Sequence, residues 1–366
     1  MSEDQVLVDR VGAVTHIRLN RPRAINALNL DMVERLIEAF QTAWNDGSQA
    51  ILLEGEGERG LCGGGDIKAM AHDNASGAAR FVEREYVLDL MTHESPIPVV
   101  GIMDGITMGG GIGLTGHAAI RVVTERSQLA MPEVRIGIVP DVGGHLLLAR
   151  APGRLGEFLA LSAETFGAGD ALALGFADVC VDAARLPELR SALLSADDSG
   201  FDARRIVGGF TTPPPPAEVL LQREWVDPLF ESVLGGAEGV DLALVQEPGA
   251  GAFATWAIQA LKRLVHVAEH SGQSEKEAFA GILRQMAPVS LAVTLAQIAR
   301  TRALGLELEE VLRDDLRILT RMFNRPDFVE GVRARVIDKD QTPSWTPKRI
   351  EDLDAVIVAQ ILDPVD

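Results

Sequence analysis

The most informative part of the sequence is residues 98–141, which read PVVGIMDGITMGGGIGLTGHAAIRVVTERSQLAMPEVRIGIVPD. Its beginning, residues 99–102, is apolar and rich in β-branched side chains, which predicts a buried strand. The turn pair Asp104-Gly105 ends that strand. The glycine run at 109–111 then leads into a segment predicted as a helix. A glycine run that enters a helix presents free backbone N–H groups and the positive end of the helix dipole. It therefore suits a phosphate, a carboxylate or a developing oxyanion.

A second glycine run, residues 63–65, follows an apolar strand predicted at residues 50–53. Either run alone is explained by a tight turn and by close packing of a helix on a strand. Two such runs, each at a predicted strand-to-helix junction, favour paired backbone donors instead. Two N–H groups that converge on one oxygen form an oxyanion hole.

Two acidic residues, Glu133 and Asp141, lie among apolar neighbours near the end of the opening stretch. Each follows a proline and has no basic residue directly beside it. Most Asp and Glu side chains lie on protein surfaces, and that interpretation stays open here. An acid in an apolar cleft has a raised pKa instead and exchanges protons near neutral pH. Both residues are therefore candidates for acid–base or nucleophilic chemistry.

Two further sequence patterns are weaker evidence for a function. Residues 111–116 match the dinucleotide motif G-x-G-x-x-G, but much of the α/β chain precedes them, unlike in a Rossmann unit. Cys62 adjoins the second glycine run and is a candidate thiol nucleophile. No histidine lies close to it in sequence, so a small buried residue is the favoured alternative.

Composition restricts the partners and the compartment. The chain has 366 residues and a formal net charge of −19, so neither nucleic acid nor an anionic membrane is an expected partner. The only cysteines are Cys62 and Cys180, which fits a reducing compartment. The acidic start MSEDQVLVDR lacks the apolar region of a signal peptide. We therefore expect a cytoplasmic protein.

The first half of the chain predicts an α/β architecture. Strands are expected at residues 5–19, and an amphipathic helix at 30–44 has Asn29 as its N-cap. A helix at 78–93 and a strand at 179–181 continue the alternation. Strands that alternate with helices are typical of crossover connections in an α/β fold.

From about residue 200 the strand signals fade. The proline run at 213–216 resists both helix and sheet. Beyond it lies an irregular tail at 328–347, and the helices are predicted at 252–270, 274–286, 289–303, 306–323 and 350–362. We therefore expect a catalytic core at 1–200, a Pro-rich linker or loop at 201–225, and a helical C-terminal region at 226–366.

Three motifs together resemble the crotonase (enoyl-CoA hydratase/isomerase) superfamily and, within it, the branch of 3-hydroxyisobutyryl-CoA hydrolases. They are DGITMGGGIGL at 104–114, AMPEVRIGIVPDVGG at 130–144 and EGVRARVIDKDQTPSW at 330–345. The resemblance covers nearly the whole chain. It implies an α/β, crotonase-like spiral of ββα units with a helical C-terminal region, and an acyl-CoA thioester as substrate.

Matched position by position, the resemblance implies an oxyanion hole at the backbone N–H groups of Gly65 and Gly110. It implies that Glu133 is the main catalytic carboxylate and Asp141 the second acid. Glu85 matches a glutamate that contacts substrate, as Gly110, Glu133 and Asp141 do. The resemblance implies no cofactor, because CoA is part of the substrate. It leaves open whether the chain forms a homo-oligomer.

The same resemblance implies hydrolysis of a short β-hydroxyacyl-CoA, with 3-hydroxyisobutyryl-CoA of valine catabolism as the first expectation. Hydratases of the superfamily carry a second catalytic glutamate where this chain has Gly113, and they tend to have glycine where it has Asp141. Both departures argue against water addition to a double bond. The alternatives are a hydratase or isomerase of the same fold and a non-catalytic acyl-CoA binder.

Overall fold

The computed structural model describes residues 4–73, 75–196, 199–235, 240–246 and 250–363. Eight strands occur within these ranges. In chain order they are β1 (Val6–Val11), β2 (Val14–Leu19), β3 (Ala50–Gly55), β4 (Val99–Met103), β5 (Ile106–Met108), β6 (Ile120–Val123), β7 (Gln128–Ala130) and β8 (Val179–Cys180).

The same described ranges hold seventeen α-helices. They are α1 (Leu30–Asn45), α2 (Ile67–His72), α3 (Ala75–His93), α4 (Gly110–Gly116), α5 (Gly144–Arg150), α6 (Leu155–Ser162), α7 (Ala168–Leu174), α8 (Leu186–Leu194), α9 (Ala203–Gly208), α10 (Arg223–Leu234), α11 (Leu242–Gln246), α12 (Gly251–Glu269), α13 (Ser274–Leu283), α14 (Pro288–Leu304), α15 (Leu308–Phe323), α16 (Pro326–Val332) and α17 (Ala355–Leu362). A 3₁₀-helix, Glu133–Ile136, and a π-helical turn, Arg333–Ile337, also matter below.

Six strands form one sheet in the order β1-β2-β3-β4-β6-β8. β1 and β2 pair antiparallel, and all the other neighbours pair parallel. β5 and β7 form a separate parallel pair. Parallel neighbours need long crossover connections, and the helices that lie between the strands in the chain supply them. The α/β class predicted from the sequence is confirmed.

The core of the large sheet comes from the predicted apolar runs. Leu52, Val100 and Val122 on three neighbouring strands pack with residues of α8 and α9, among them Leu189 and Val207. Parallel strands that are covered by helices have nearly continuous apolar sequences, and the sequences of these strands are of that kind.

The first helix also begins where the sequence predicts. The side chain of Asn29 accepts a hydrogen bond from the Met32 N–H at 2.9 Å. A cap of this kind contributes about 1 kcal/mol. The predicted strands at 5–19 and the predicted helix at 30–44 are confirmed.

Contacts divide the chain into two compact units that do not follow chain order. The first comprises the described residues of Met1–Asp66, Phe81–Ala130 and Thr165–Glu218, and the second those of Ile67–Arg80, Met131–Glu164 and Val219–Asp366. This division differs from the predicted segments 1–200, 201–225 and 226–366. The difference arises because residues 131–164 pack with the C-terminal helices. The Ala287 N–H, just before α14, donates to the Val134 carbonyl at 3.1 Å.

The Pro-rich stretch is an exposed loop of the first unit. It has no regular structure at 213–216, between α9 and a 3₁₀-helix at Glu218–Gln222. The Thr212 N–H donates to the Cys180 carbonyl at 2.8 Å, at the end of β8. A Cβ added to Gly169 would lie 2.1 Å from the Pro215 carbonyl oxygen, so the loop lies against α7.

The helices α12 to α15 and α17 confirm the five helices predicted beyond residue 250. The tail predicted as irregular is wrong in its first part, where α16 and the π-helical turn occur. Tertiary packing explains the difference: a Cβ added to Gly331 would lie 2.5 Å from the Ile136 Cα, so only glycine permits this close approach. In the part of the chain described, no single helix is long and apolar enough to cross a membrane, and α13 with α14 passes that test only as a pair bent by 111°.

Candidate active site

The two glycine runs lie side by side in the first unit. Cys62, at the start of the earlier run, pairs with β5: its N–H donates to the Ile106 carbonyl at 3.2 Å, and its carbonyl accepts from the Met108 N–H at 3.0 Å. A Cβ added to Gly110 would lie 3.5 Å from the Gly65 nitrogen. The structure thus brings Gly65 and Gly110 together, and their role as oxyanion donors stays a prediction.

The later run needs glycine for steric reasons. Gly109 precedes α4 with φ 48°, a conformation that glycine adopts readily. A Cβ added to Gly111 would lie 2.8 Å from the Cys62 carbonyl oxygen and 2.9 Å from its Cβ. Gly110 differs, because the nearest atom to its added Cβ is Oε1 of Glu85, at 2.1 Å. The space beside Gly110 is therefore filled by the end of a flexible acidic side chain.

Glu85 is the predicted substrate-contacting residue, and it lies on α3 with 3% of its surface exposed. Its carboxyl group is adjacent to Gly110, so the structure groups it with the candidate donors. Asp89, one turn further along α3, is fully buried as well. Sequence reasoning missed Asp89, although its spacing of four residues from Glu85 places both acids on one helix face.

Cys62 does not have the surroundings of a nucleophile. It is fully buried, and burial raises the pKa of its thiol from 9.0 to about 12. The hydrogen bond from the Gly64 N–H opposes this shift, and the charge of Glu85 adds to it. Because the thiolate is the nucleophilic form, the small buried residue is the better interpretation of Cys62.

Glu133 opens the 3₁₀-helix of the second unit and is 5% exposed. The helix ends at Gly137, whose φ of 81° suits glycine and whose N–H donates to the Glu133 carbonyl. A Cβ added to Gly137 would lie 2.5 Å from the Asp327 carbonyl carbon. The backbone around Glu133 is thus fixed by its own turn and by the close approach of α16.

Asp141 begins a tight turn into α5 and is 6% exposed. Its carbonyl accepts from the Gly144 N–H at 2.6 Å. Val142 has φ 52°, which is rare for a β-branched residue and costs roughly 1–3 kcal/mol. The two acids are buried, so the alternative that they are surface residues is excluded.

Side chains from two distant helices support that turn. Asp315 on α15 lies 3.1 Å, through Oδ1, from His145 Nδ1, and its Oδ2 accepts from the Gly143 N–H at 3.4 Å. Gln297 on α14 donates to Asp315 Oδ1 at 2.9 Å, and Thr301 Oγ1 lies 3.1 Å from His145 Nε2. We refer to Asp315, His145, Gln297 and Thr301 as the polar clamp.

Sequence reasoning missed the polar clamp, although α15 carries a signal for it. Asp315 stands within an apolar stripe that includes Val311, Leu312, Leu319 and Met322, all of them buried. A charged residue at a core position of an amphipathic helix needs a buried partner. The sequence does not identify that partner, because His145 lies 170 positions earlier in the chain.

Each unit thus holds one set of the predicted site residues. Gly65, Gly110 and Glu85 belong to the first unit, and Glu133 and Asp141 belong to the second. The donor set of the first unit suits an oxygen that becomes negative, and the acids of the second suit proton transfer or nucleophilic attack. Among the residues described, no group of three or more His, Cys, Asp or Glu side chains is arranged to hold a metal ion.

Comparison with known proteins shows the family to which the chain belongs. Residues 14–362 match the family described as Enoyl-CoA hydratase/isomerase. A mitochondrial 3-hydroxyisobutyryl-CoA hydrolase of Danio rerio is 32% identical over 373 residues, which cover 99% of this chain and 90% of the relative. The corresponding mitochondrial hydrolase of Rattus norvegicus is 33% identical over 355 residues, with 95% and 86% covered.

Comparison with a solved structure identifies the fold of the chain. A carnitinyl-CoA dehydratase from Mycobacterium thermoresistibile superposes with a TM-score of 0.85 and 33% identity, covering 100% of this chain and 98% of that one. This similarity confirms the crotonase-like fold predicted from the sequence.

The expected cytoplasmic location is wrong by the same comparison, because both animal relatives are mitochondrial proteins. The expectation depended partly on the low cysteine count, and both cysteines are indeed free and buried. Free thiols fit any compartment that keeps them reduced, so they do not single out the cytoplasm.

Proposed function

The chain belongs to the enoyl-CoA hydratase/isomerase family, and from that premise we propose that it hydrolyses 3-hydroxyisobutyryl-CoA, a short β-hydroxyacyl-CoA thioester formed in valine breakdown. The observation that carries the proposal is the approach of Gly65 and Gly110, with the Glu85 carboxyl beside them. Two backbone donors and one buried acid at the same place suit an acyl group with a polar substituent.

In the proposed reaction the thioester carbonyl oxygen accepts hydrogen bonds from the Gly65 and Gly110 N–H groups. These donors polarise the carbonyl and stabilise the negative oxygen of the tetrahedral intermediate. Removal of one comparable donor lowers the rate by about 10²- to 10³-fold in other enzymes. Backbone donors need no rearrangement during the reaction, because the pairing of Cys62 with β5 already fixes the first run.

Glu133 acts at the carbonyl carbon in one of two ways. It attacks directly and forms a mixed anhydride that water then hydrolyses, or it removes a proton from an attacking water. In both cases the C–S bond breaks, water supplies the oxygen of the new carboxylate, and CoA leaves as a thiolate that takes up a proton. Asp141 orients the water, protonates the thiolate or positions Glu133. The proposed chemistry uses no metal and no redox cofactor.

Glu85 provides selectivity for the 3-hydroxyl group of the substrate. A buried carboxylate that accepts a hydrogen bond from a hydroxyl discriminates against an analogue that lacks the hydroxyl, because the acid then loses its partner. Glu85 is suited to this because its carboxyl group lies next to Gly110, where the carbonyl end of the acyl group is held in the proposed complex.

The second candidate function is hydration of an enoyl-CoA, which the solved dehydratase structure favours by its fold and its name. Hydration needs a base for water at one carbon and a proton donor at the next. Position 113, where hydratases of the superfamily carry a second glutamate, is a glycine buried in α4, and it has no side chain to donate or accept a proton. This observation favours hydrolysis.

The proposal is tested with purified protein, 3-hydroxyisobutyryl-CoA and isobutyryl-CoA, and a thiol reagent that reports free CoA. We expect rapid thiol release from the hydroxyacyl substrate and a kcat/KM at least about 10²-fold lower for the analogue. Glu85→Ala should reduce that ratio, and Glu83→Ala, an exposed acid on the same helix, should leave it unchanged. Absence of thiol release from the wild type would refute the hydrolase assignment. An unchanged ratio in Glu85→Ala would refute only the role of Glu85.

A further inference from the structure

The turn that carries Asp141, together with the first residues of α5, contacts the Asp315 carboxylate of the polar clamp at two points. Asp315 accepts from the backbone N–H of Gly143, two residues after Asp141, and it contacts the ring of His145, four residues after Asp141. A single contact would allow the turn to pivot. The two contacts involve the two different oxygens of one carboxylate, so they restrict the turn from two directions.

The other two members of the polar clamp hold its centre in place. Gln297 donates to the same Asp315 oxygen that faces His145. Thr301, one helical turn after Gln297, contacts the second ring nitrogen of His145. Nε2 of His145 thus shares a hydrogen bond with Thr301, and Nδ1 lies 3.1 Å from Asp315 Oδ1 without forming a hydrogen bond of regular geometry. All four side chains are at least nine-tenths buried.

The conformation that the polar clamp supports is an unfavourable one. Val142 occupies the left-handed region with φ 52°, and Gly143 follows with φ 70°. A β-branched residue adopts this conformation only where the surrounding structure imposes it. The contact from Asp315 to Gly143 acts at the peptide directly after Val142, where it opposes relaxation of the turn.

Stability alone does not explain the polar clamp. A buried charged group is often no more stabilising than apolar residues of similar volume, because removing it from water is unfavourable. An apolar side chain at position 315 would complete the apolar stripe of α15. It could not accept a hydrogen bond from the Gly143 N–H. The carboxylate therefore supports the turn in a way that apolar packing cannot.

We propose that Asp315 is a positioning residue that, through Gly143 and His145, holds Asp141 in the orientation needed for thioester hydrolysis. This inference rests on the proposed function. Asp315 is fully buried, so in this proposal it acts through the turn and not on the substrate. Its loss should therefore lower kcat more than it raises KM.

The neighbouring residue on α15 provides a matched control. Asp314 is also buried, and its carboxylate accepts hydrogen bonds from Arg300 on α14 at 2.9 and 3.1 Å. Both aspartates thus join α15 to α14 through a buried polar contact. Of the two carboxylates, that of Asp315 contacts the Asp141 turn. If Asp315 had only a structural role, substitution of either aspartate should have the same effect on kcat.

The first experiment compares Asp315→Asn with Asp314→Asn by steady-state kinetics on 3-hydroxyisobutyryl-CoA and by thermal unfolding. We expect Asp315→Asn to lower kcat by about 10- to 100-fold with KM within about threefold, since small misplacements of a catalytic group have effects of this size. Asp314→Asn should lower the Tm and leave the kcat of the folded protein within about twofold. Equal losses of kcat, or full kcat in Asp315→Asn, would overturn the proposal.

A second pair of variants separates the ring contact from general packing. His145→Asn keeps a polar group close to the position of Nδ1, and His145→Leu removes it. We expect His145→Asn to retain kcat within about fivefold of the wild type, and His145→Leu to lose as much as Asp315→Asn. If both variants lose kcat equally at comparable Tm, the contact from His145 to Asp315 does not position the turn.

Amide hydrogen exchange tests the polar clamp independently of activity. Asp315→Asn should raise the exchange rate of the Gly143 amide by about tenfold or more, and Asp314→Asn should leave it unchanged. If the wild type releases no thiol, the proposed function fails, and the exchange rate still decides whether Asp315 holds the turn. If Gly143 exchanges equally in the wild type and Asp315→Asn, the proposal is wrong even where hydrolysis is observed.

Discussion

The glycine pair of the first unit and the Asp141 turn of the second are built in opposite ways. The donors at Gly65 and Gly110 are backbone groups, positioned by main-chain pairing between Cys62 and β5. The Asp141 turn is positioned by side chains far along the chain, since Asp315 lies 172 residues after Gly143. The glycine pair is therefore disrupted by substitutions that add a side chain. The Asp141 turn is disrupted by substitutions that remove a supporting side-chain group.

The largest effect should come from removing the functional group of Glu133. Glu133→Gln keeps the shape of the side chain but can neither attack nor accept a proton, so we expect kcat to fall by about 10³-fold or more with little change in Tm. Glu164→Gln, a half-buried acid of the same unit, is the matched control and should retain turnover. Retention of more than about a tenth of wild-type kcat by Glu133→Gln would refute the assignment of Glu133.

The next largest effect should come from adding a methyl group beside the donors. In Gly110→Ala the new Cβ clashes with the end of the Glu85 side chain, which can move, and meets the Gly65 nitrogen at an ordinary contact distance, so we expect a folded protein with about 10²-fold lower kcat. In Gly111→Ala the Cβ meets the backbone of Cys62, so the main loss should be in stability. Thermal unfolding and kinetics on both variants separate the two outcomes. Full activity in Gly110→Ala would show that this glycine is not part of the site.

The same contrast explains what the sequence could predict. The glycine runs are local patterns, and the strands β3 and β4 that precede them in the chain were predicted from their apolar sequences. Glu133, Asp141 and Glu85 became candidates through apolar surroundings or through motif resemblance. All three are buried in the structure, and their roles in catalysis or substrate binding stay predictions.

The missed features depend on contacts between distant parts of the chain. The polar clamp joins the turn at 141–145 to helices that begin more than 140 residues later. The helix α16 was missed because its close packing on Ile136 through Gly331 is not visible in local propensity. The placement of 131–164 with the C-terminal helices was missed for the same reason, since chain order does not reveal which segments pack together.

A third prediction separates stability from turnover in the first unit. Burial alone would raise the pKa of Glu54, but hydrogen bonds from His16 and Arg190 outweigh burial and lower that pKa from 4.5 to about 2. A carboxyl group with a depressed pKa in the folded state stabilises the protein above its unfolded pKa, and this contribution disappears as the pH falls toward 2. The shift corresponds to roughly 3 kcal/mol at neutral pH.

Urea unfolding at pH 7 and pH 3 tests this prediction. Glu54→Gln should be less stable than the wild type at pH 7, and the difference should shrink at pH 3, while the kcat of the folded protein stays unchanged. An equal difference at both pH values would show that the loss does not come from the ionised carboxylate.

The smallest effect on kcat should come from removing a cysteine thiol. Burial raises the pKa of Cys62 to about 12 and also raises that of Cys180, so neither thiol should react with a thiol reagent in the native protein at pH 8. Both should react after denaturation, and Cys62→Ala should keep kcat within about twofold of the wild type. A native Cys62 that reacts rapidly, with loss of turnover, would restore it as a candidate nucleophile.

Hydrolysis and hydration are distinguished by following both reactions in parallel with one protein preparation. Thiol release is measured with 3-hydroxyisobutyryl-CoA and 3-hydroxypropionyl-CoA, and loss of enoyl absorbance is measured with crotonyl-CoA. We predict thiol release from at least one hydroxyacyl substrate, and Glu133→Gln should abolish it. We predict no hydration of crotonyl-CoA, because Gly113 supplies no second acid in α4. Rapid loss of enoyl absorbance without thiol release from either hydroxyacyl substrate would contradict these predictions and identify a hydratase.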